Sequence, residues 1–236
     1  MPPLARPFPR FIADSPREKA PYGRWEERLG EKFAAACEPL AKEAGAALDR
    51  DSIRWFPERT YGGRTFVPVT ADGDGAGATG ALEYFGHVSF VRGDGESEPA
   101  DVRVHADFTD VTAEENPEWR VDLNDDVIGK WHAGGSRGGD VTLVWGLPLV
   151  RGAVAVTAEL DGEVLDQAAV DDGRFTLVAV DAVQGFGDDL FLEVVLWDRT
   201  LRRVVARESL YADGGDEPDE AEELEDVAGG EAAGRD

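Results

Sequence analysis

The sequence predicts a mainly β protein: an antiparallel β-sandwich of about 8–10 strands, preceded by an N-terminal helical segment and followed by a disordered acidic tail. Three observations predict it. Apolar residues recur at helical spacing before residue 50, they alternate with polar residues after Arg64, and large apolar residues nearly vanish after residue 212. The corresponding division is an N-terminal extension over 1–63 whose helix packs on the body, a β domain over 64–211, and a tail over 212–236.

In the extension, Ser15-Pro16-Arg17-Glu18 has the spacing of a capping box with Pro at the first helical position, so a short helix is expected there. From Trp25 the apolar residues at 25, 29, 33, 36, 37, 40, 44, 47 and 48 form one stripe. Pro39 removes a donor and crowds the preceding turn, which predicts a kink or break near Glu38. Cys37 lies within the stripe and reads as packing, because a thiol without a neighbouring base is inert.

Beyond Arg64 the period becomes two. Val102, Val104, Ala106 and Phe108 alternate with Arg103, His105 and Asp107 as in a half-buried strand. Similar runs occupy 64–70, 81–92, 141–148, 153–160, 163–170, 174–182, 189–198 and 203–211, with short strands expected near 119–123 and 126–132. Asp161-Gly162 and Asp172-Gly173 supply the positive φ of tight turns, so 153–182 reads as a three-stranded meander. Residues 199–202 close a further hairpin. No helices separate these runs, which favours antiparallel sheets over βαβ units.

Charge narrows the function. The 236 residues carry 24 basic and 49 acidic side chains, net −25. The balance is +2 over 1–65, −17 over 66–212 and −10 over 213–236. Phosphate attraction needs the opposite sign, so nucleic-acid binding through a basic surface is excluded. Twenty Arg against four Lys also fits a salt-tolerant or GC-biased source, in which acidity reflects environment rather than a partner. No stretch approaches the ~18 uninterrupted apolar residues of a membrane span. The start of the chain lacks the apolar core of a secretory signal, and a single Cys cannot form an internal disulfide. The expected setting is the cytoplasm.

Several motifs touch on chemistry without completing it. Gly75, Gly77 and Gly80 match G-x-G-x-x-G, but a strand follows instead of the helix that would hold a pyrophosphate, and Asp72 and Asp74 repel phosphate. Asp72, Asp74, Gly77 and Glu83 match positions 1, 3, 6 and 12 of a calcium loop, with Ala76 at a ligand position. Asp122, Asn124 and Asp126 repeat the alternation of hard ligands without the turn glycine. Residues 116–119, 126–129 and 196–198 resemble fragments of C2 domains, calcium-binding β-sandwiches, at a spacing foreign to that family, so no ligand carries over.

His132, Ser136 and Asp140 are the components of a nucleophilic relay, within one short stretch and without a nucleophile elbow. His87 shares a face with Phe85, Ser89 and Val91, whereas His105 falls on the polar face of its strand. Glu193 and Asp198 flank Trp197, the combination glycosidases use, but Trp197 alternates in phase with Phe191 and Val195 and reads as packing. The sequence therefore assigns no catalytic, cofactor or metal residue. It points first to a non-catalytic module that binds a protein partner, its small-molecule ligands unknown. Its alternatives are a hydrolase with a loop-built site at one end of the sandwich, and a calcium-dependent binding domain.

Overall fold

The computed structural model describes residues 25–74, 82–92, 98–133, 137–180 and 192–210. The helix expected at Ser15, the glycine-rich stretch 75–80, Ser136 and the acidic tail lie outside the described residues. Over the described residues the fold is mainly β, with one N-terminal α-helix and antiparallel sheets.

Helix α1 (Glu26–Ala44) buries Leu29, Phe33 and Cys37 of the stripe read from the sequence, together with Gly30 and Ala34, while the last two stripe residues, Ala47 and Leu48, lie beyond the helix in a strand. Glu26 and Glu27 stand in its first turn and Lys42 in its last, each complementing the helix dipole. Gly45 ends it in the left-handed region (φ 73°), donating its N–H to the Ala41 carbonyl. No break occurs at Pro39. That residue is exposed, so the carbonyl it leaves unpaired faces water, while Leu40, Ala41 and Ala44 pack on the sheet and hold the last turn in place.

The strands follow as β1 (Ala47–Leu48), β2 (Arg54–Trp55), β3 (Arg59–Tyr61), β4 (Arg64–Asp74), β5 (Glu83–Val91), β6 (Ala100–Thr109), β7 (Val121–Ala133), β8 (Arg137–Pro148), β9 (Ala153–Leu160), β10 (Glu163–Ala169), β11 (Phe175–Val180), β12 (Leu192–Asp198) and β13 (Val204–Ser209). They form three sheets. In the first, β1, β2 and β3 successively pair with one flank of β4, and β5 and β6 continue beyond its other flank. The second runs β10-β9-β12-β13 and the third β11-β8-β7.

Alternation sends each strand's apolar residues to identifiable partners. Helix α1 covers Val67, Val69, Tyr84, Val88 and Phe90 of the first sheet. Phe56 and Phe66, on that sheet's side, cluster with Leu143 and Trp145 of β8. Val144, Phe175, Leu177 and Ala179 of the third sheet cluster with Val156, Ala158, Val194 and Leu196 of the second. The third sheet thus contributes to a buried cluster from each face, which explains why β8 is buried from Val141 through Trp145 without alternation.

The turn at Asp161-Gly162 (φ 48° and 76°) joins β9 to β10 as a tight hairpin, and β12 pairs with β13 through the turn at 199–202. The meander stops there. After Asp172-Gly173, β11 leaves β10 and pairs with β8. Phe175 and Leu177 serve one cluster and Val178 the other, so the strand gains apolar cover on both faces only within the third sheet. It nonetheless stays beside β10: Leu165 packs on the cluster that holds Phe175 and Leu177, and the Val178 N–H donates to Asp166 Oδ2 at 2.8 Å.

Two arginines bind the N-terminal segment to the distal strands. Arg59 Nε donates to the Thr176 carbonyl (2.8 Å) and its Nη2 to the Gln167 carbonyl (3.2 Å). In return, Arg174 Nη1 donates to the Trp55 carbonyl (2.8 Å).

Candidate functional site

The first and third sheets meet along a polar seam. On β5, Tyr84 and Val88 face the helix, so the alternate residues Glu83, Phe85 and His87 face the other way. On β7, the D-x-N-x-D alternation is a strand stripe rather than a loop. Its residues divide between two places along the seam.

Asp122 and Asn124 join Glu83 in a cleft of about 720 Å³, which also takes Arg54, Asp72, Trp119 and Asp125 into its lining. The fold positions these groups tightly. Asp72 and Glu83 are direct partners in the β4–β5 register. The Arg54 guanidinium reaches both, 2.7 Å from Asp72 Oδ1 and 3.0 Å from Glu83 Oε2. Asp72 is fixed further by Ser52, whose hydroxyl oxygen accepts the Asp72 N–H at 2.7 Å.

Desolvation dominates the electrostatics. Burial pushes the Glu83 carboxyl up to about 7, the Asp122 charge adds to the rise, and Arg54 and a hydrogen bond from Asn124 oppose it. Asp122 and Asp125 are raised by burial as well, Asp125 further by the neighbouring Asp126 charge. A carboxyl group that changes charge near neutrality, in a cleft with other acids, can hold a cation or exchange a proton.

Asp126 belongs to the second place. Its Oδ2 lies 3.2 Å from His87 Nδ1 and 2.9 Å from His105 Nδ1. His87 and His105 are direct partners across β5 and β6, with ring centroids 5.8 Å apart. The His87 side chain is 9% exposed, against 54% for His105. Among the described residues, these three form a group of metal-capable side chains with donor atoms within 4.8 Å of one another.

The other candidates from the sequence fall elsewhere. Asp72 and Glu83 do converge, but with the Arg54 cation between them, where the calcium reading would put an ion; Asp74 lies at the end of β4. Asp140 is engaged by Lys130 at 2.6 Å and His132 is in β7, so with Ser136 outside the described residues no relay is defined. Glu193 pairs with Arg207, while Asp198 accepts hydrogen bonds from the Thr200 backbone and hydroxyl, which hold its carboxyl below the usual range. Trp197 is buried and donates Nε1–H to Thr157 Oγ1 at 2.8 Å, as packing requires. Burial pushes the Cys37 thiol up to about 12, far from nucleophilic at neutral pH.

What the sequence missed was union. Glu83 and Asp122 stand out separately, and the face of each histidine is readable, yet only the meeting of β5 and β6 with β7 assembles the two groups.

Fold and seam together define a mainly β protein with an acidic cleft, and no described helix is long and apolar enough to cross a membrane. No family model, curated protein or solved structure matches the chain.

Proposed function

We propose that the protein is a β-sandwich binding domain whose cleft receives a cationic group of a protein partner, a Lys or Arg side chain. The observation that supports this is the gathering of Asp72, Glu83, Asp122 and Asp125 from three strands around one cleft, where Arg54 pairs with only Asp72 and Glu83. Trp119 in its lining offers an aromatic face that a cation can stack against. The −17 balance of residues 66–212 steers a basic partner toward this surface and weakens with salt.

The test is calorimetric titration with an Arg/Lys-rich peptide. The double variant Asp122→Asn/Asp125→Asn is expected to bind about tenfold more weakly, equivalent to about 1.4 kcal/mol. Binding to the parent should also be weaker at pH 6 than at pH 8, because Glu83 takes up a proton as pH falls through about 7. Equal affinity of parent and variant would place the peptide elsewhere on the acidic surface and reject the reading.

The same Glu83 carboxyl favours a second reading, a hydrolase in which it acts as general acid beside Asp122. Turnover of chromogenic glycosides or esters, abolished by Glu83→Gln, would decide for it.

A further inference from the structure

We propose that His87, His105 and Asp126 form a binding site for a divalent transition-metal ion of the zinc class, tying the first sheet to the third. The site is independent of the cleft reading. His87 lies four residues beyond Glu83 on β5, about 13 Å away along the strand.

Geometry carries the assignment. Each donor sits on a regular strand and none on a loop: His87 on β5, His105 directly opposite on β6, and Asp126 on β7. Ligands bonded at 2.0–2.1 Å around a tetrahedral ion lie about 3.3 Å from one another. The Asp126 oxygen is 2.9 and 3.2 Å from the two imidazole nitrogens, so two edges of one face of that tetrahedron already have the ligand spacing, and all three donors lie within 4.8 Å of one another.

A second observation points the same way. His87 Nδ1 is buried yet makes no hydrogen bond. Its 3.2 Å approach to Asp126 lacks the alignment of one, so a nitrogen lone pair or N–H directed into the seam is unsatisfied. A cation held among the three donors supplies the missing partner.

Chemistry selects the ion. Calcium and magnesium call for six or more oxygens, or for octahedral oxygen and water, which two imidazoles do not provide. Two nitrogens and one carboxylate suit zinc and its first-row neighbours. Three protein ligands leave a fourth position open, and the exposed His105 places that position at the water-facing side of the seam.

The test uses the full chain after chelator treatment, titrated with Zn²⁺ against a chromogenic competitor. One equivalent is expected to bind, and His105→Ala and Asp126→Asn each to weaken it by about a hundredfold or more. His105 is chosen because it is exposed, whereas truncating buried His87 risks the fold. Co²⁺ gives a readout that weak surface binding does not mimic: visible absorption from a low-symmetry site, present in the parent and lost in His105→Ala.

Asp122→Asn/Asp125→Asn should retain Zn²⁺ affinity, which separates this site from the cleft. Absence of stoichiometric binding, or binding that persists unchanged in both ligand variants, would overturn the proposal, the latter by assigning the ion to surface carboxylates.

Discussion

Gly146→Ala is expected to lower the unfolding free energy by about 3 kcal/mol, the upper part of the range for overpacking a core. Gly146 lies on β8 opposite Leu123. A Cβ there would stand 2.1 Å from the Asp122 carbonyl oxygen, 3.0 Å from Leu123 Cδ2 and 3.1 Å from Phe175 Cζ. The first neighbour is backbone and cannot rotate aside, so β7 must move off β8 and carry Asp122 out of the cleft. Urea unfolding reads the loss. Gly30→Ala provides the contrast, because its Cβ would meet only Ile53 and Trp55 atoms at 3.7 and 3.9 Å on a helix. It should stabilise by about 0.5–1 kcal/mol through helix propensity. Two substitutions identical on paper should thus differ in sign, and a Gly146→Ala protein as stable as its parent would refute the close approach of β7.

The second large effect is a pH dependence set by Glu83. Its carboxyl ionises near 4.5 in the unfolded chain and about 7 in the folded one. Between those values the folded state holds the extra proton, so stability falls as pH rises, by about 1.4 kcal/mol per unit for this one group. The accumulated loss by pH 8 reaches about 3 kcal/mol. Asp122 and Asp125, also raised, act in the same direction. Asp101 and Asp198 are lowered and act in the opposite sense from exposed positions.

Glu83→Gln should therefore flatten the profile: close to the parent at pH 5 and more stable than it at pH 8. Urea midpoints at pH 5, 6, 7 and 8 measure this. A parent whose stability climbs across that window, or a variant with an undiminished slope, would contradict the assignment.

The same residues show how far the sequence could be read. Helix α1 was legible because it buries a periodic stripe, and strand β6 because its residues alternate, whereas β4 and β8, buried on both faces, were legible as continuous apolar runs bounded by turns. Strand β7 was harder. Its polar run reads as two short strands near 119–123 and 126–132, whereas the chain forms one strand, Val121–Ala133, with a register shift between Val127 and Gly129. Asp122, Asn124 and Asp126 read in sequence as an acidic cluster with an alternation of hard ligands, but in the fold they meet Glu83 and the histidines of another sheet.

Strand β11 illustrates the other limit. Asp172-Gly173 fixes a reversal of direction, and nothing local states which sheet receives the strand afterwards. The site shares this limit. Asp72 and Glu83 could be paired from spacing alone, whereas bringing Asp122 to them, or Asp126 to His87 and His105, depends on contacts between sheets, for which a single sequence holds no periodic signal.

The reciprocal bonds of Arg59 and Arg174 make the turn at Gly62-Gly63 a natural place to nick the molecule. Both glycines are exposed at positive φ, and neither has a neighbour that a side chain would meet within 4 Å. The fragment ending there would keep β1, β2 and β3 as complements to β4, an apolar helical face to cover its sheet, and both guanidinium–carbonyl clasps. Each piece carries the template for the other, so two fragments expressed separately and divided at this point are expected to reassociate, which co-purification of a tagged N-terminal piece would check.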